Sequence, residues 1–440
     1  MQKVLIISYF FPPCNLSASH RAFAWACHLK EFGYYPTIIT RSWEKEIKAP
    51  MDAFNKSGNR MKHEKFKNYE VFYLPYLPSL RDKIYTKYGD AKCVRIRKLL
   101  TLFELLTQYI TNFFIPFNNI YKFTAEYLKK NNINKVIITA NPFILFKFGF
   151  ILKKKLNVKW IADYRDDWNT QQLINKNSII QKLMTKLESY YEKKWVGTSE
   201  LITSISDNYI AKISKFVEKP GITILHGYAE EDLPPDTDND LQLELFNDFT
   251  IVYNGSLYPT QKIEIFLTAV KHLIDFNKRT VKIKLLFPGL AYDAAQKNRV
   301  AEFMKEYSTY LTITDRIPKN EVITIQKKAH LMLMISHINI KGVPSGKLYE
   351  YIGLNKPILL CPGDDDIIEN TLRKTGLGYF ANTIDDASNI LDKLYRNFLE
   401  GRAVPVNPNL KEIKALSMKN QTKKLSEVLD GNHGCSAQKL

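Results

Sequence analysis

Two short stretches carry residue types that could do chemistry. In VPSGKLYEYIGLNKPILLCPG, Val343 to Gly363, a loop bearing Ser345, Gly346 and Lys347 opens into an amphipathic turn with Glu350 and then into an apolar run. The apolar segment His330 to Ile338 precedes it, so the pattern is strand, loop, helix, strand. The loop after the first strand and the start of the helix are where such units hold anions, because free backbone N–H groups and the helix dipole point there. Ser345 suits an N-cap, Gly346 lets backbone approach a ligand closely, and Lys347 can neutralise negative charge. Glu350 can accept hydrogen bonds from a diol, or can simply be a solvated acid beside Lys347.

The second stretch is WIADYRDDW, which sets Asp163, Arg165, Asp166 and Trp168 at the end of an apolar strand. Such groups at a strand end are costly to bury unpaired and useful where they meet a substrate, an aspartate such as Asp166 as a proton acceptor and an arginine such as Arg165 as a phosphate ligand. The structural alternative is an Asp163–Arg165 ion pair.

These residues need elements to position them. The first half alternates strand-like runs (4–10, 36–40, 71–77, 135–140, 159–163, 201–206, 222–225) with helical patterns, and from residue 249 the alternation restarts (250–253, 282–287, 311–314, 330–336, 358–361). Such alternation predicts parallel sheets covered by helices. At 440 residues the chain exceeds one usual core. The expected division is a domain over 1–228 with a basic, aromatic insertion at about 42–123, an acidic linker over 229–248, a domain over 249–408, and a helical tail over 409–440.

Composition narrows the function. The 45% hydrophobic content excludes a disordered chain. Five cysteines without metal-like spacing indicate neither a zinc site nor a disulfide framework, so a cytoplasmic setting is expected. The acidic runs Asp236 to Asp240 and Asp364 to Asp366 read as solvated loop acids. Residues 1–200 hold 33 Lys and Arg against 16 Asp and Glu, and the remainder holds 30 against 29. A first half this basic suits an anionic bilayer or nucleic acid, but no nucleic-acid-binding motif accompanies it. Arg95, Arg97 and Lys98 stand just before the apolar segment Leu99 to Phe117, with Phe103, Phe113 and Phe114, a pattern that suits peripheral docking on an anionic membrane surface.

Taken in order, YFFPP with HLKEFGYYPTIIT, KWIADYRDDW, IVYNGSLYPTQK and PSGKLYEYIGLNKPIL resemble the motifs of GT-B glycosyltransferases of the family 4 type across most of the chain. The resemblance implies two Rossmann-like doubly wound domains facing a central cleft. It implies a retaining transfer from a nucleotide-sugar donor to a lipid-linked or glycan acceptor, in bacterial surface polysaccharide biosynthesis, at the inner face of the plasma membrane. No cofactor and no metal are expected.

By the same resemblance Glu350 binds the ribose, Lys262 with Ser345, Gly346 and Lys347 meets the diphosphate, and the loop at Arg316 and Ile317 reads the base through its backbone. Asp163, Arg165 and Asp166 stand on the catalytic side. Asn15, Ser17 and Arg21 occupy the N-terminal loop, where Arg21 faces the ligand or lies on the helix surface. Two positions depart from the pattern. Gly342 stands where a first glutamate is usual, and Ser256 follows Gly255 where a basic residue is common. A GT-B nucleotide-sugar epimerase and a non-catalytic glycosyltransferase-like partner are the alternative readings.

Overall fold

The computed structural model describes residues 1–44, 47, 50–169, 179–230 and 244–431. Most of the expected linker, the run Asp236 to Asp240 and Cys435 lie outside them. The chain divides into two compact units, Met1–Leu225 with the chain from Gln421, and His226–Asn420.

Among the described residues the first unit is built on an eight-stranded sheet. Its strands are β1 (Gln2–Ser8), β2 (Tyr34–Arg41), β3 (Lys62–Lys65), β4 (Glu70–Leu74), β5 (Lys135–Ala140), β6 (Lys159–Tyr164), β7 (Leu201–Ser204) and β8 (Gly221–Thr223). They lie in the order β3-β4-β2-β1-β5-β6-β7-β8, parallel except for the β3–β4 pair. The central strands are apolar on both faces, as helices on both sides of a parallel sheet require: Ile6, Ile7, Ile38, Ile39, Ile137 and Ile138 have no exposed surface.

The stretch expected as an insertion over 42–123 does more than interrupt the rhythm. It supplies β3 and β4 to the sheet, then the helices Leu80–Tyr88 and Val94–Ile110. The tail also has a definite place. Helix Met418–Leu429 puts Leu425, Val428 and Leu429 into the first unit's core beside Trp25 and Tyr34. Lys135 Nζ donates to the Leu429 carbonyl at 2.6 Å, and Tyr34 donates to Asp430 at 2.5 Å.

The second unit carries β9 (Phe249–Val252), β10 (Ile283–Phe287), β11 (Leu311–Ile313), β12 (Leu331–Met334), β13 (Ile358–Leu360) and β14 (Gly378–Phe380). The order is β11-β10-β9-β12-β13-β14, and every pairing is parallel. From β9 the chain winds outward through β10 and β11 on one side, then returns to β12 and winds outward on the other. The reversal leaves a topological switch point between β9 and β12, where the two following loops diverge and a ligand can enter beyond the strand ends. In the first unit the corresponding place is between β1 and β5.

Candidate functional site

The switch point of the second unit collects the residues singled out after its strands. Helix Gly346–Gly353 follows the β12 loop, and its N-cap Ser345 is extended (φ −107°, ψ 134°) with no side-chain capping bond. The first-turn N–H groups are thus not taken up by the cap side chain, as an anion site at a helix start requires.

Lys347, half-buried, turns back across the switch point. Its Nζ donates to the Ser256 carbonyl at 2.6 Å and to the Tyr253 hydroxyl at 2.9 Å, and lies 4.2 Å from the Tyr253 ring centre. Burial pulls its pKa down to about 7, while Glu350 opposes the shift. Its stem would stand 3.5 Å from a Cβ at Gly255, whose φ of +79° already favours glycine. The cation missing after Gly255 in sequence therefore arrives from residue 347.

The loops around it are stitched together. Tyr351 Oη accepts from the Asn254 N–H at 2.9 Å, Gln261 Nε2 donates to the Ile335 carbonyl at 2.6 Å, and Thr260 and His337 share a 2.7 Å hydrogen bond. Burial lowers the pKa of His337, and the charge of Lys347 adds to the effect. On the β10 side, Gly255 N–H donates to the Pro288 carbonyl at 2.8 Å and Ala291 N–H to the Thr314 carbonyl at 3.1 Å. The β11 loop is thereby drawn in with Arg316, exposed and stacked 4.2 Å from the Tyr292 ring centre, and half-buried Ile317. Lys262 is exposed just before helix Glu264–Phe276, whose start is clamped by the Arg299–Glu264 pair at 2.6 Å.

The acids at 364–366 are not merely solvated. Asp364 accepts from the N–H groups of Ile368 (2.8 Å) and Glu369 (3.0 Å), capping helix Ile367–Thr375. Asp366 accepts from the Gly342 N–H, so a carboxylate stands against the backbone at the position lacking the expected glutamate.

Sequence reasoning gave no site role to Tyr253, Tyr351 or His337, and read Asp366 as a solvated loop acid. His337, directly behind an apolar strand, had a readable signal. The two tyrosines looked like core residues, and Asp366 is brought in from a later loop.

The first unit treats its charged groups differently. Asp163, at the end of β6, is fully buried and held by Arg21 through Nη2 at 2.7 Å and Nε at 3.1 Å. Thr203 donates to it at 2.7 Å. Arg21 lies neither on the helix surface nor toward solvent. It is 2% exposed, and its Nη1 donates to the carbonyls of Ile224 (2.6 Å) and Leu225 (3.1 Å). The ion pair considered between Asp163 and Arg165 is made by Arg21 instead.

Arg165 is half-buried beside the N-terminal loop, where Nη1 meets the Ala18 carbonyl at 3.4 Å and Nε is shielded with no hydrogen-bond partner among the described residues. Burial draws its pKa down against the pull of Asp166 and Asp163. Asp166 and Ser17 are exposed. Asn15 is exposed but occupied, accepting from the Ile47 N–H at 3.1 Å.

Behind this loop Glu192 is a buried carboxyl, accepting from Tyr164 at 2.9 Å and Asn169 at 2.6 Å. Burial pushes its pKa up to about 7. Among the described residues no group of three or more His, Cys, Asp and Glu side chains is arranged to hold a metal ion.

No family model and no curated protein matches the chain. Solved structures do match, over nearly the whole length. Sucrose-phosphate synthase from Thermosynechococcus elongatus is similar at a TM-score of 0.60 and 13% identity, covering 98% of this chain and 99% of that one. A glycosyltransferase from Rickettsia africae matches at 0.60 and 14%, covering 99% of each. Anabaena HepE in complex with UDP matches at 0.58 and 9%, covering 98% and 100%. The chain has the GT-B fold. At these identities the likeness is one of fold.

Proposed function

We propose that the protein is a glycosyltransferase that draws its sugar from a nucleoside diphosphate sugar held at the β9–β12 switch point. The observation that carries the reading is the pairing there of a helix start lacking a side-chain cap with Lys347 and, one turn on, Glu350. The diphosphate sits at the N–H groups after Ser345 and Gly346, with Lys347 and Lys262 supplying positive charge. Glu350, about 5 to 6 Å further along the helix, takes the ribose diol.

The Arg316–Ile317 backbone meets the base. UDP is the first nucleotide to try, because it is the one bound in the Anabaena structure. Charge that develops on the departing diphosphate is met by the helix start and by a lysine already oriented for it, without a metal ion.

The acceptor side is assigned to the first unit. Asp166 accepts the hydroxyl proton, Arg165 meets phosphate on the acceptor, Asn15 and Ser17 border them, and Asp163 acts through Arg21 by holding the loop. The resemblance and the basic first half support a lipid-linked or glycan acceptor at the inner membrane face, retention at the anomeric carbon and a role in bacterial surface polysaccharide synthesis.

A thermal-shift panel of UDP, GDP, ADP and CMP sugars on the full chain tests the reading, followed by hydrolysis of the stabilising donor. One family of diphosphate sugars, of UDP, GDP or ADP, should stabilise the protein and be slowly hydrolysed. A flat response to all four, or stabilisation by CMP sugars alone, would set the reading aside.

A further inference from the structure

Helix Val94–Ile110 turns an apolar face to solvent. Ile96 is 53% exposed, Leu99 68%, Phe103 61% and Ile110 71%. Their spacings of three, four and seven place them on one side of the helix, and exposed Phe113 follows just beyond its end. Single exposed apolar side chains are ordinary, but four aligned on one face mark an interaction surface.

Phe114, by contrast, is fully buried, in edge contact with Phe148, and belongs to the core. Lys92, Arg95 and Lys98 are exposed at and before the start of the helix. Arg97 is drawn back by Asp90 at 3.3 Å and lies 5.1 Å from the Tyr85 ring centre. Glu104, the helix's one acidic residue, is half-buried away from the apolar face, and burial raises its pKa. Among the described residues no helix is long and apolar enough to cross a membrane.

We infer that this face lies on an anionic lipid bilayer, with Leu99, Phe103 and Ile110 entering the acyl boundary and Lys92, Arg95 and Lys98 at the headgroups. An apolar stripe edged by basic residues is what shallow insertion needs, and the positive excess of residues 1–200 adds long-range attraction. A second copy of the chain fits less well, since it would bring the same basic edge against itself. The inference rests on the proposed function only in taking the acceptor to be lipid-linked. It does not depend on the nucleotide site.

All five tryptophans are buried, none more than 9% exposed, so Phe103→Trp would give the only strongly exposed indole among the described residues. The full chain carrying Phe103→Trp is mixed with vesicles of phosphatidylcholine alone or with phosphatidylglycerol, some with brominated acyl chains, at low and high salt. The expected result is binding that needs phosphatidylglycerol and weakens with salt, with bromine quenching of the new indole beyond that of the parent. Arg95→Glu with Lys98→Glu should weaken partitioning by about thirtyfold or more, and Leu99→Ser with Phe103→Ser by about tenfold or more.

Nucleotide-induced thermal shift, measured on the same samples, should be unchanged in both double variants. That readout keeps failure of the membrane face distinct from failure of the donor site. No vesicle binding, binding indifferent to lipid charge, an unquenched indole, or a concentration-dependent dimer abolished by Leu99→Ser and Phe103→Ser would each overturn the inference.

Discussion

The two sheets share a doubly wound plan, yet their switch-point ends spend charge in opposite ways. In the first unit Arg21 and Asp163 are consumed by each other, by Thr203 and by backbone carbonyls, and Arg41 is buried between the rings of Trp43 and Tyr76. In the second unit the hydrogen bonds of Lys347 go to neutral oxygens, the Ser256 carbonyl and the Tyr253 hydroxyl, with Glu350 as the acid that acts on its charge, so an anion can still be drawn to it. A buried pair with complete partners is scaffolding, whereas a half-buried cation with a lowered pKa is an arrangement that a ligand completes.

The sharpest way to break this comparison is Asp163→Ala. It should destabilise the first unit by about 3 to 5 kcal/mol, because Arg21 would be left buried without its counter-charge. Thermal denaturation measures the loss, and a variant of unchanged stability that lost only turnover would make Asp163 a reacting group. Next is Asp166→Asn, where turnover should fall about a hundredfold with donor affinity within about twofold, since a proton acceptor matters mainly in the transition state. Equal losses in both would return Asp166 to a structural role.

Lys347 gives the smaller, pH-dependent test. Its pKa of about 7 is below the ordinary lysine value, and an anionic diphosphate favours the charged form, so binding takes up a proton. Affinity for a nucleotide sugar should be level below about pH 7 and fall as the pH rises beyond it, by at most about tenfold per unit. Lys347→Met should bind more weakly and lose that slope, as titration calorimetry across pH would show.

Much of the fold was legible because parallel strands buried on both faces must be continuous apolar runs. The strand predicted over 135–140 is β5 itself, Lys135–Ala140. What escaped were two edge strands: β3, KHEK, has little apolar content, and β14, GYF, is only three residues long.

That Ser345, Lys347 and Glu350 lie together could be read from sequence because one loop and one helix carry them. The two apparent gaps could not be judged from sequence. Lys347 reaches Ser256 over 91 positions and Asp366 reaches Gly342 over 24, and only the fold brings either pair together. The pairing of Arg21 with Asp163, 142 positions apart, was hidden for the same reason.

Titration calorimetry of UDP against the parent protein and Glu350→Ala tests the central claim most directly. Loss of a charged acceptor for the ribose diol should weaken binding by about 1.5 to 3 kcal/mol while leaving thermal stability unchanged. A folded Glu350→Ala protein that binds UDP as tightly as the parent would contradict the placement of the nucleotide at the β9–β12 switch point.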